Sequence, residues 1–183
     1  ADELLDGLDD LDGWPDSVRE IQRNWIGRQE GTTVTFDIAG EHDTEAVDVF
    51  TTRLDTICGA TYLAVSPGHE LARELAGDDE EIAEYIDDAR TEDVAELSGI
   101  ETAATAVNPV TGEEVPVYVG AYVLDDVGTG AVMGVPAHNE RDHAFAAEHD
   151  LPTRQVIEPV DDQHVDLETE PFTGQGMLTD SSE

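Results

Sequence analysis

Short runs of alternating apolar and polar residues dominate this chain and predict many short strands. Alternation favours strands because every second side chain can then face a core. The strands predicted in this way are 32–38, 46–52, 62–65, 102–107, 115–119, 121–125, 131–135, 154–157 and 172–179. Residues 108–112 are rich in turn-forming types, so the fourth and fifth of these strands should form a hairpin.

Helical spacing of apolar residues predicts a few helices among the strands. The predicted helices are 18–22, with Ser17 as N-cap, 69–76, 79–90 and 139–149. Strands and helices do not alternate regularly, which favours an α+β fold over a doubly wound sheet. Residues 1–16 are rich in Asp and Leu and are interpreted as an acidic N-terminal tether, with 17–183 as one domain.

The charge of the chain changes the expected environment. The 183 residues include 44 acidic and 8 basic residues, all of the latter arginine, and the net charge is −36. Such a charge opposes compactness in dilute buffer, whereas molar salt shortens the screening length to roughly 3 Å. The composition therefore indicates a halophilic protein, and an acidic interaction protein is the alternative.

Several classes of protein are excluded or disfavoured. Cys58 is the single cysteine, so neither an internal disulfide nor a cysteine metal cluster can form. His138 and His143 lack the spacing of an H-E-x-x-H zinc site, and no apolar run approaches a membrane span. The first residues lack the basic start of a signal peptide, so we expect a cytoplasmic protein. No basic patch is evident, and any contact with RNA should be small.

The first segment with chemical potential follows the strand 46–52. Thr51, Thr52 and Thr56 surround one loop, together with Arg53 and Asp55. Hydroxyl groups both donate and accept hydrogen bonds, so they could orient a water molecule or hold a ribose. The ordinary alternative is that Asp55 or Thr56 caps a short helix while the other threonines finish the strand.

The second segment, 128–142, contains a glycine turn, a strand, Pro136 and the start of a helix. Asn139 is a suitable N-cap, and Asp142 falls in the first helical turn. Asp142 either stabilises the helix dipole or points out of the junction towards a cationic substrate group. No G-x-S-x-G motif occurs, so any hydrolysis should proceed by positioning water, without a covalent intermediate.

Together these segments resemble the editing domain of leucyl-tRNA synthetases. That family carries T-T-R-P-D-T and later G-T-G-A-V-M-x-V-P-A-H-D-x-R-D, and this chain has T-T-R-L-D-T at 51–56 and G-T-G-A-V-M-G-V-P-A-H-N-E-R-D at 128–142. Flanking pieces at 24–28, 59–62 and 151–152 also fit. The resemblance extends from about Trp14 to Thr179. The sequence lacks the signatures of the synthetic active site, which binds ATP.

The resemblance implies a β-barrel-like core with peripheral helices, excised from a larger synthetase. It implies hydrolysis of the aminoacyl ester of tRNA(Leu) mischarged with norvaline or isoleucine. The implied partners are the 3′-terminal adenosine of that tRNA and the remainder of the synthetase. Editing in this family is expected to need neither a metal nor a cofactor. We expect a monomer that does not bind membranes. The residues that it assigns to catalysis are Thr51, Thr52 and Asp142, the last as anchor of the α-ammonium. The substrate-binding residues are Thr56, which excludes leucine, and Arg53, Val127, Met133, Val135, His138, Asn139 and Arg141.

Three residues depart from the family pattern. Leu54 replaces proline, Val127 stands where tyrosine is frequent, and Asn139 replaces aspartate. They leave open a second hypothesis, in which the domain is a catalytically weak insertion that binds the tRNA end or has a structural role.

Overall fold

The computed structural model describes residues 31–91, 94–125, 127–160 and 165–179. From Thr32 onwards these residues belong to one compact unit, Thr32–Glu183. The predicted tether, the helix at 18–22 and the boundary at residue 17 lie outside the described residues. In the part of the chain that is described, no helix is long and apolar enough to cross a membrane.

Six strands form the main sheet, and two more form a separate ribbon. The strands are β1 (Thr32–Ala39), β2 (Ala46–Thr51), β3 (Tyr62–Val65), β4 (Gly99–Val107), β5 (Glu114–Gly120), β6 (Ala131–Gly134), β7 (Ile157–Pro159) and β8 (Gly176–Leu178). The main sheet has the order β2-β1-β4-β5-β3-β6, and β7 pairs with β8. Only the β3–β5 pair is parallel among the strand pairs of these described residues.

Helices cover part of this sheet. A 3₁₀ helix (Leu54–Gly59) joins β2 to β3, and the α-helices are α1 (Glu70–Asp78), α2 (Glu80–Arg90) and α3 (Glu140–Glu148). Each α-helix begins after a residue whose side chain accepts a backbone hydrogen bond, namely His69, Asp79 and Asn139. These caps satisfy N–H groups that have no partner inside the helix. The predicted α+β fold is confirmed.

Two hydrophobic clusters lie on opposite faces of β3 and β6. Leu63 and Val65 face the larger cluster, whereas Tyr62 and Ala64 face a smaller aromatic cluster that includes Phe145 of α3. Because successive side chains of a strand point to opposite faces, a run that is buried throughout belongs to two clusters at once. The strand β3 is therefore the wall between the two.

The barrel-like core is not established by the strand order. Within the described residues, the sheet is open and has β2 and β6 as its edges. Residues of these two edge strands come within 8 Å of each other, measured between Cα atoms, without pairing. The described strands therefore form a sheet that curls so that its edges approach without closing into a barrel.

Three predicted strands differ from the structure, one by being absent and two by their bounds. Residues 121–125 form turns, since Val123 N–H donates to the carbonyl of Gly120 and ends β5 there. The apolar run continues past β5 because its side chains pack against the aromatic cluster and not because the ladder continues. The strand expected at 154–157 begins only at Ile157, and the return strand at 172–179 is shortened to Gly176–Leu178.

Candidate functional site

The hydroxyl loop, residues 51–56, leaves the sheet at the end of β2. Thr51 Oγ1 accepts a hydrogen bond from Arg53 N at 3.0 Å. Thr56 Oγ1 donates to the carbonyl of Arg53 at 2.8 Å. The loop is thus closed by side-chain bonds across two or three residues, and Thr52 lies exposed at its outer side.

Neither Asp55 nor Thr56 caps the 3₁₀ helix, so that alternative is wrong. The helix starts after Arg53, which makes no capping bond through its side chain. Asp55 instead forms a two-point ion pair with the Arg53 guanidinium, with distances of 2.9 Å for Nε–Oδ1 and 2.9 Å for Nη2–Oδ2. The hydrogen bond from Arg53 holds the pKa of Asp55 below its usual value. Thr56 is 1% exposed, so its side chain is part of the interior.

The strand–helix junction, residues 134–142, connects β6 to α3. Asn139 is confirmed as the N-cap, since its Oδ1 accepts from Arg141 N at 2.9 Å and Asp142 N at 3.1 Å. Asp142 lies in the first turn, as predicted, but its side chain turns back towards the sheet. Its Oδ2 accepts from Val135 N at 2.9 Å, and the residue is only 6% exposed.

Burial sets the charge of Asp142. Loss of hydration raises its pKa to about 6, while the hydrogen bond from Val135 N–H, the charge of Arg141 and, least of the three, the nearby Tyr62 hydroxyl act in the opposite direction. The carboxylate is therefore ionised at neutral pH despite its burial. An ionised carboxylate accepts about four hydrogen bonds, so it retains capacity for a cationic group.

His138 connects three backbone segments. Its Nε2 accepts from Val156 N at 3.1 Å and Ile157 N at 3.3 Å, and its Nδ1 lies 3.0 Å from the carbonyl of Phe172. Because amide N–H groups only donate and a carbonyl only accepts, the ring is neutral with its proton on Nδ1. Burial is the main cause that lowers the pKa of His138. Both ring nitrogens are occupied, so in this structure His138 holds the junction in place.

The remaining predicted site residues divide into buried and exposed groups. Met133 and Val135 are 6% and 7% exposed and belong to the larger cluster together with Ile57 of the 3₁₀ helix. Val127 is 60% exposed. Arg141 is exposed, and its Cζ lies 6.0 Å from the ring centroid of Tyr122.

The structure brings the two segments into one neighbourhood. Gly128, with φ of +63°, lies against Phe50, whose Cβ would be 3.5 Å from a Cβ added to the glycine. The backbone of Thr61, just after the 3₁₀ helix, donates to the carbonyl of Gly134 at 3.0 Å. Arg53 and Asp55 also border a cavity of about 510 Å³ with Ile157 and Leu178. No hydrogen bond joins Asp142 to the described residues of the hydroxyl loop.

Sequence reasoning missed two residues next to Asp142. Tyr62 and Tyr122 are linked by a hydrogen bond from the Tyr122 hydroxyl to the Tyr62 hydroxyl, 3.1 Å long. Tyr62 lies in a strand that reads as plain core, and Tyr122 lies in a segment that was predicted to be a strand. No local signal distinguishes them, because a strand (Tyr62), a turn (Tyr122) and a helix (Asp142) from separate parts of the chain come together only in the folded domain.

Comparison with known proteins places the chain among the editing domains of aminoacyl-tRNA synthetases. A family model described as the editing domain of leucyl-tRNA synthetase matches residues 23–183. The chain belongs to this leucyl-tRNA synthetase editing-domain family.

Individual relatives agree with this assignment. The chain is 51% identical over 183 residues to a leucine–tRNA ligase of Halobacterium salinarum, and all of it aligns with 21% of that protein. It is 48% identical over 190 residues to a leucine–tRNA ligase of Alcanivorax borkumensis, covering 23% of that protein. A crystal structure of a ternary complex of Agrobacterium radiobacter K84 AgnB2 LeuRS, tRNA and LeuAMS is similar, with a TM-score of 0.69 and 43% identity over 90% of this chain and 20% of that one. The chain spans about a fifth of the length of these relatives.

Proposed function

We propose that this chain is the part of a larger leucyl-tRNA synthetase that hydrolyses tRNA(Leu) charged with a wrong amino acid, such as norvaline or isoleucine. Water attacks the ester carbon, the bond to the ribose of the 3′-terminal adenosine breaks, and the ribose oxygen takes up a proton. The products are the free amino acid and uncharged tRNA. The reaction as proposed uses neither a metal ion nor a covalent intermediate, and ATP serves only the synthetic part of such an enzyme.

The observation that carries this proposal is the buried carboxylate of Asp142 at the end of β6. A carboxylate in a partly dry site attracts the α-ammonium group of an aminoacyl ester strongly, because little water competes. Its hydrogen bond to Val135 N fixes where the ammonium would lie. Asp142 is therefore proposed as the anchor that orients the ester.

The hydroxyl loop supplies the groups that would face the ester. Thr51 and Thr52 stand where the strand β2 ends, and in this proposal they contact the reacting ester, its water or the ribose. Thr56, Met133 and Val135 would form the wall that meets the amino-acid side chain. A site of this kind is needed because hydrophobic pockets distinguish one methylene by only about 1–3 kcal/mol, which is the double-sieve argument for synthetases in general.

A single enzymatic comparison tests the anchor. The full-length synthetase that contains this chain would be assayed for deacylation of isoleucyl-tRNA(Leu) in molar KCl, as wild type, Asp142→Asn and Asp142→Ala. Removing one partner of a desolvated charge pair should lower the rate about 100-fold in both variants. The matched control is Glu140→Gln, an exposed acid of the same helical turn, which should retain the wild-type rate.

The outcomes separate the two hypotheses for this domain. Loss of hydrolysis in the two Asp142 variants alone supports the proposed reaction and its anchor. Wild-type rates in Asp142→Asn contradict the anchor. If the wild-type enzyme itself does not hydrolyse mischarged tRNA, the domain is the catalytically weak module that the departures at Leu54, Val127 and Asn139 suggest.

A further inference from the structure

The hairpin turn between β4 and β5, residues 108–113, is built around the side chain of Asn108. Its Oδ1 accepts hydrogen bonds from Val110 N at 3.0 Å and Thr111 N at 3.3 Å. Its backbone closes the same turn, since Asn108 N donates to the carbonyl of Glu113 at 2.9 Å and its carbonyl accepts from Gly112 N at 2.8 Å. Asn suits this place because its short side chain can bond to the backbone two residues further on. The turn therefore fixes the direction of the other end of the amide, Nδ2.

The amide nitrogen of Asn108 reaches out of the turn to the 3₁₀ helix. Nδ2 donates to the carbonyl of Ile57 at 2.8 Å, across 51 positions of sequence, and Asn108 is only 1% exposed. The same carbonyl accepts from Ala60 N at 3.1 Å, so both of its lone pairs are used. A buried donor that loses its partner is costly, so this bond holds the helix against the hairpin turn.

A second contact between the hairpin and the 3₁₀ helix is weaker. Glu113, at the end of the turn, forms an ion pair with Arg154, whose Nη1 donates to the carbonyl of Cys58 at 3.4 Å. Both side chains of the ion pair are about half exposed. Water and molar salt screen a pair of this kind, so it contributes little. The buried bond from Asn108 is therefore the stronger of the two contacts.

The 3₁₀ helix carries Thr56, the residue next to Ile57. Thr56 is 1% exposed, and its Oγ1 donates to the carbonyl of Arg53 at 2.8 Å, so its side chain is tied to the backbone of the helix start. Ile57 packs in the larger cluster together with Met133 and Val135. In the proposed function, Thr56 and these two residues of β6 and its end form the wall of the amino-acid pocket. A shift of the 3₁₀ helix would therefore change the space at that wall.

We propose that Asn108 is a positioning residue for the discrimination against leucine: through the Ile57 carbonyl it holds the 3₁₀ helix, and with it Thr56, at the wall of the amino-acid pocket. Asn108 is not itself assigned to contact with the substrate. This inference rests on the proposed function and on the part that Thr56 has in it.

The ratio of two deacylation rates of the full-length synthetase in molar KCl distinguishes positioning from a purely structural role. Asn108→Ser keeps a short side-chain acceptor for the turn amides, but its hydroxyl is too short to reach Ile57. The rate on leucyl-tRNA(Leu), divided by the rate on isoleucyl-tRNA(Leu), should rise about 5-fold, the factor that one net hydrogen bond represents. An unchanged ratio, including an equal drop of both rates, would overturn the proposal.

A second substitution tests whether Asn108 acts through Thr56. In Thr56→Ala the ratio should already be raised, and adding Asn108→Ser should raise it no further, because both substitutions remove the same obstacle to leucine. A further rise of the same factor in the double variant would overturn the proposal. If Thr56→Ala does not raise the ratio, the part of Thr56 in the proposed function is wrong, and this inference is wrong with it.

Thr111→Val is the matched control. Thr111 Oγ1 accepts from Glu113 N at 3.3 Å, a bond that stays within the hairpin turn. The control variant loses one hydrogen bond of that turn and keeps the bond from Asn108 to Ile57, so the ratio should remain that of the wild type. An equal rise in Thr111→Val would also overturn the proposal.

Hydrogen exchange separates failure of this inference from failure of the proposed function. Mass spectrometry of the full-length synthetase in molar KCl would follow the peptide that covers residues 54–60, whose amides should exchange about 5-fold faster in Asn108→Ser. Unchanged exchange in a folded variant overturns the positioning role even if the enzyme edits. Faster exchange in a synthetase whose wild type does not edit supports the contact between turn and helix and contradicts the proposed function. If Asn108→Ser does not fold, Asn108→Asp, which keeps the size of the side chain and the acceptor for the turn, provides the same comparisons.

Discussion

The hydroxyl loop and the strand–helix junction satisfy their polar groups in different ways. In the loop, Thr51, Arg53 and Thr56 bond to partners two or three residues away, and the Arg53–Asp55 pair is about 40% exposed. In the junction, His138 bonds to residues 18, 19 and 34 positions away and is 6% exposed. Local bonds at a surface are individually weak, whereas buried long-range bonds are expensive to break. The loop should therefore tolerate substitutions that the junction does not.

The largest effect on stability is expected at His138. His138→Ala leaves three backbone groups, two of them buried, without their partner and should lower the free energy of unfolding by about 4 kcal/mol. Denaturant unfolding in constant molar salt measures it. His143→Ala, which loses one contact to the carbonyl of Leu167, should cost less than about 1.5 kcal/mol. If the two substitutions lowered the free energy of unfolding equally, the junction would not be more sensitive to substitution than the less buried positions.

The pH dependence of the His138 effect has a defined sign. Because the folded-state pKa is below the ordinary 6.5, the unfolded chain takes up the proton first as pH falls. The stability contributed by neutral His138 is complete above 6.5 and is lost as pH falls through the folded-state value. The difference in the free energy of unfolding between wild type and His138→Ala should therefore become smaller below pH 6.5. A difference that becomes larger would contradict the neutral ring.

The second effect concerns the cost of burying Asp142. Its folded-state pKa is raised from 3.8 to about 6, so its contribution to stability is greatest below 3.8 and is lost as pH rises through 6. Asp142→Asn keeps an acceptor for Val135 N and does not titrate. Between pH 4 and pH 8, the free energy of unfolding of Asp142→Asn should rise relative to that of wild type by up to about 3 kcal/mol, as measured by denaturant unfolding. A constant difference across this range would mean that the carboxylate is better hydrated than its burial indicates.

An intermediate effect is expected at Thr56, where the loop enters the interior. If its bulk excludes leucine, Thr56→Ala should increase hydrolysis of correctly charged leucyl-tRNA(Leu) about 10-fold or more in the full-length synthetase. Thr56→Val keeps the volume and loses the bond to the Arg53 carbonyl, so it should continue to spare leucine. Attack on leucyl-tRNA by the Val variant would assign the discrimination to the hydroxyl bond instead.

The smallest effect is expected for the Arg53–Asp55 ion pair. Exposed pairs contribute little because water and salt screen them, so Arg53→Ala and Asp55→Ala should each change the free energy of unfolding by less than about 1 kcal/mol. A double-mutant cycle in molar salt measures the coupling of the pair. A coupling comparable with the His138 effect would show that the loop is not the tolerant region.

The same distinction explains which parts of the fold could be predicted. Periodicity gave β1 to β6 and the three α-helices to within three residues at each end, and Asn139 was recognised as a cap from its type and place. The strand expected at 121–125 failed because Tyr122 and its neighbours are apolar for another reason: they cover the aromatic cluster. The segment 154–157 failed because the amides of Val156 and Ile157 bond to His138 instead of to a strand. Alternation of apolar and polar residues indicates which side chains are buried. It does not indicate whether the backbone at those residues pairs with another strand.

The candidate site divides in the same manner. The motifs at 51–56 and 128–142 were recognisable because each is contiguous, and the local bonds of the hydroxyl loop follow from its residue types. The environment of Asp142 could not be recognised from the sequence, because Tyr62 and Tyr122 lie 80 and 20 positions away from it. His138 was expected to bind substrate, a role that no contact in the structure tests, and its three backbone partners belong to segments that the sequence did not connect.

The sequence by itself determined the α+β class and the family and predicted the candidate site residues, because these depend on composition, periodicity and contiguous motifs. The tertiary structure decided that Asp142 is buried and accepts a hydrogen bond from Val135 N, and that His138 is neutral and bonded to three backbone groups. The physical reason is that a carboxylate or an imidazole takes its charge and direction from water loss and from hydrogen-bond partners. Here the partners are brought together only when β3, β6 and α3 pack.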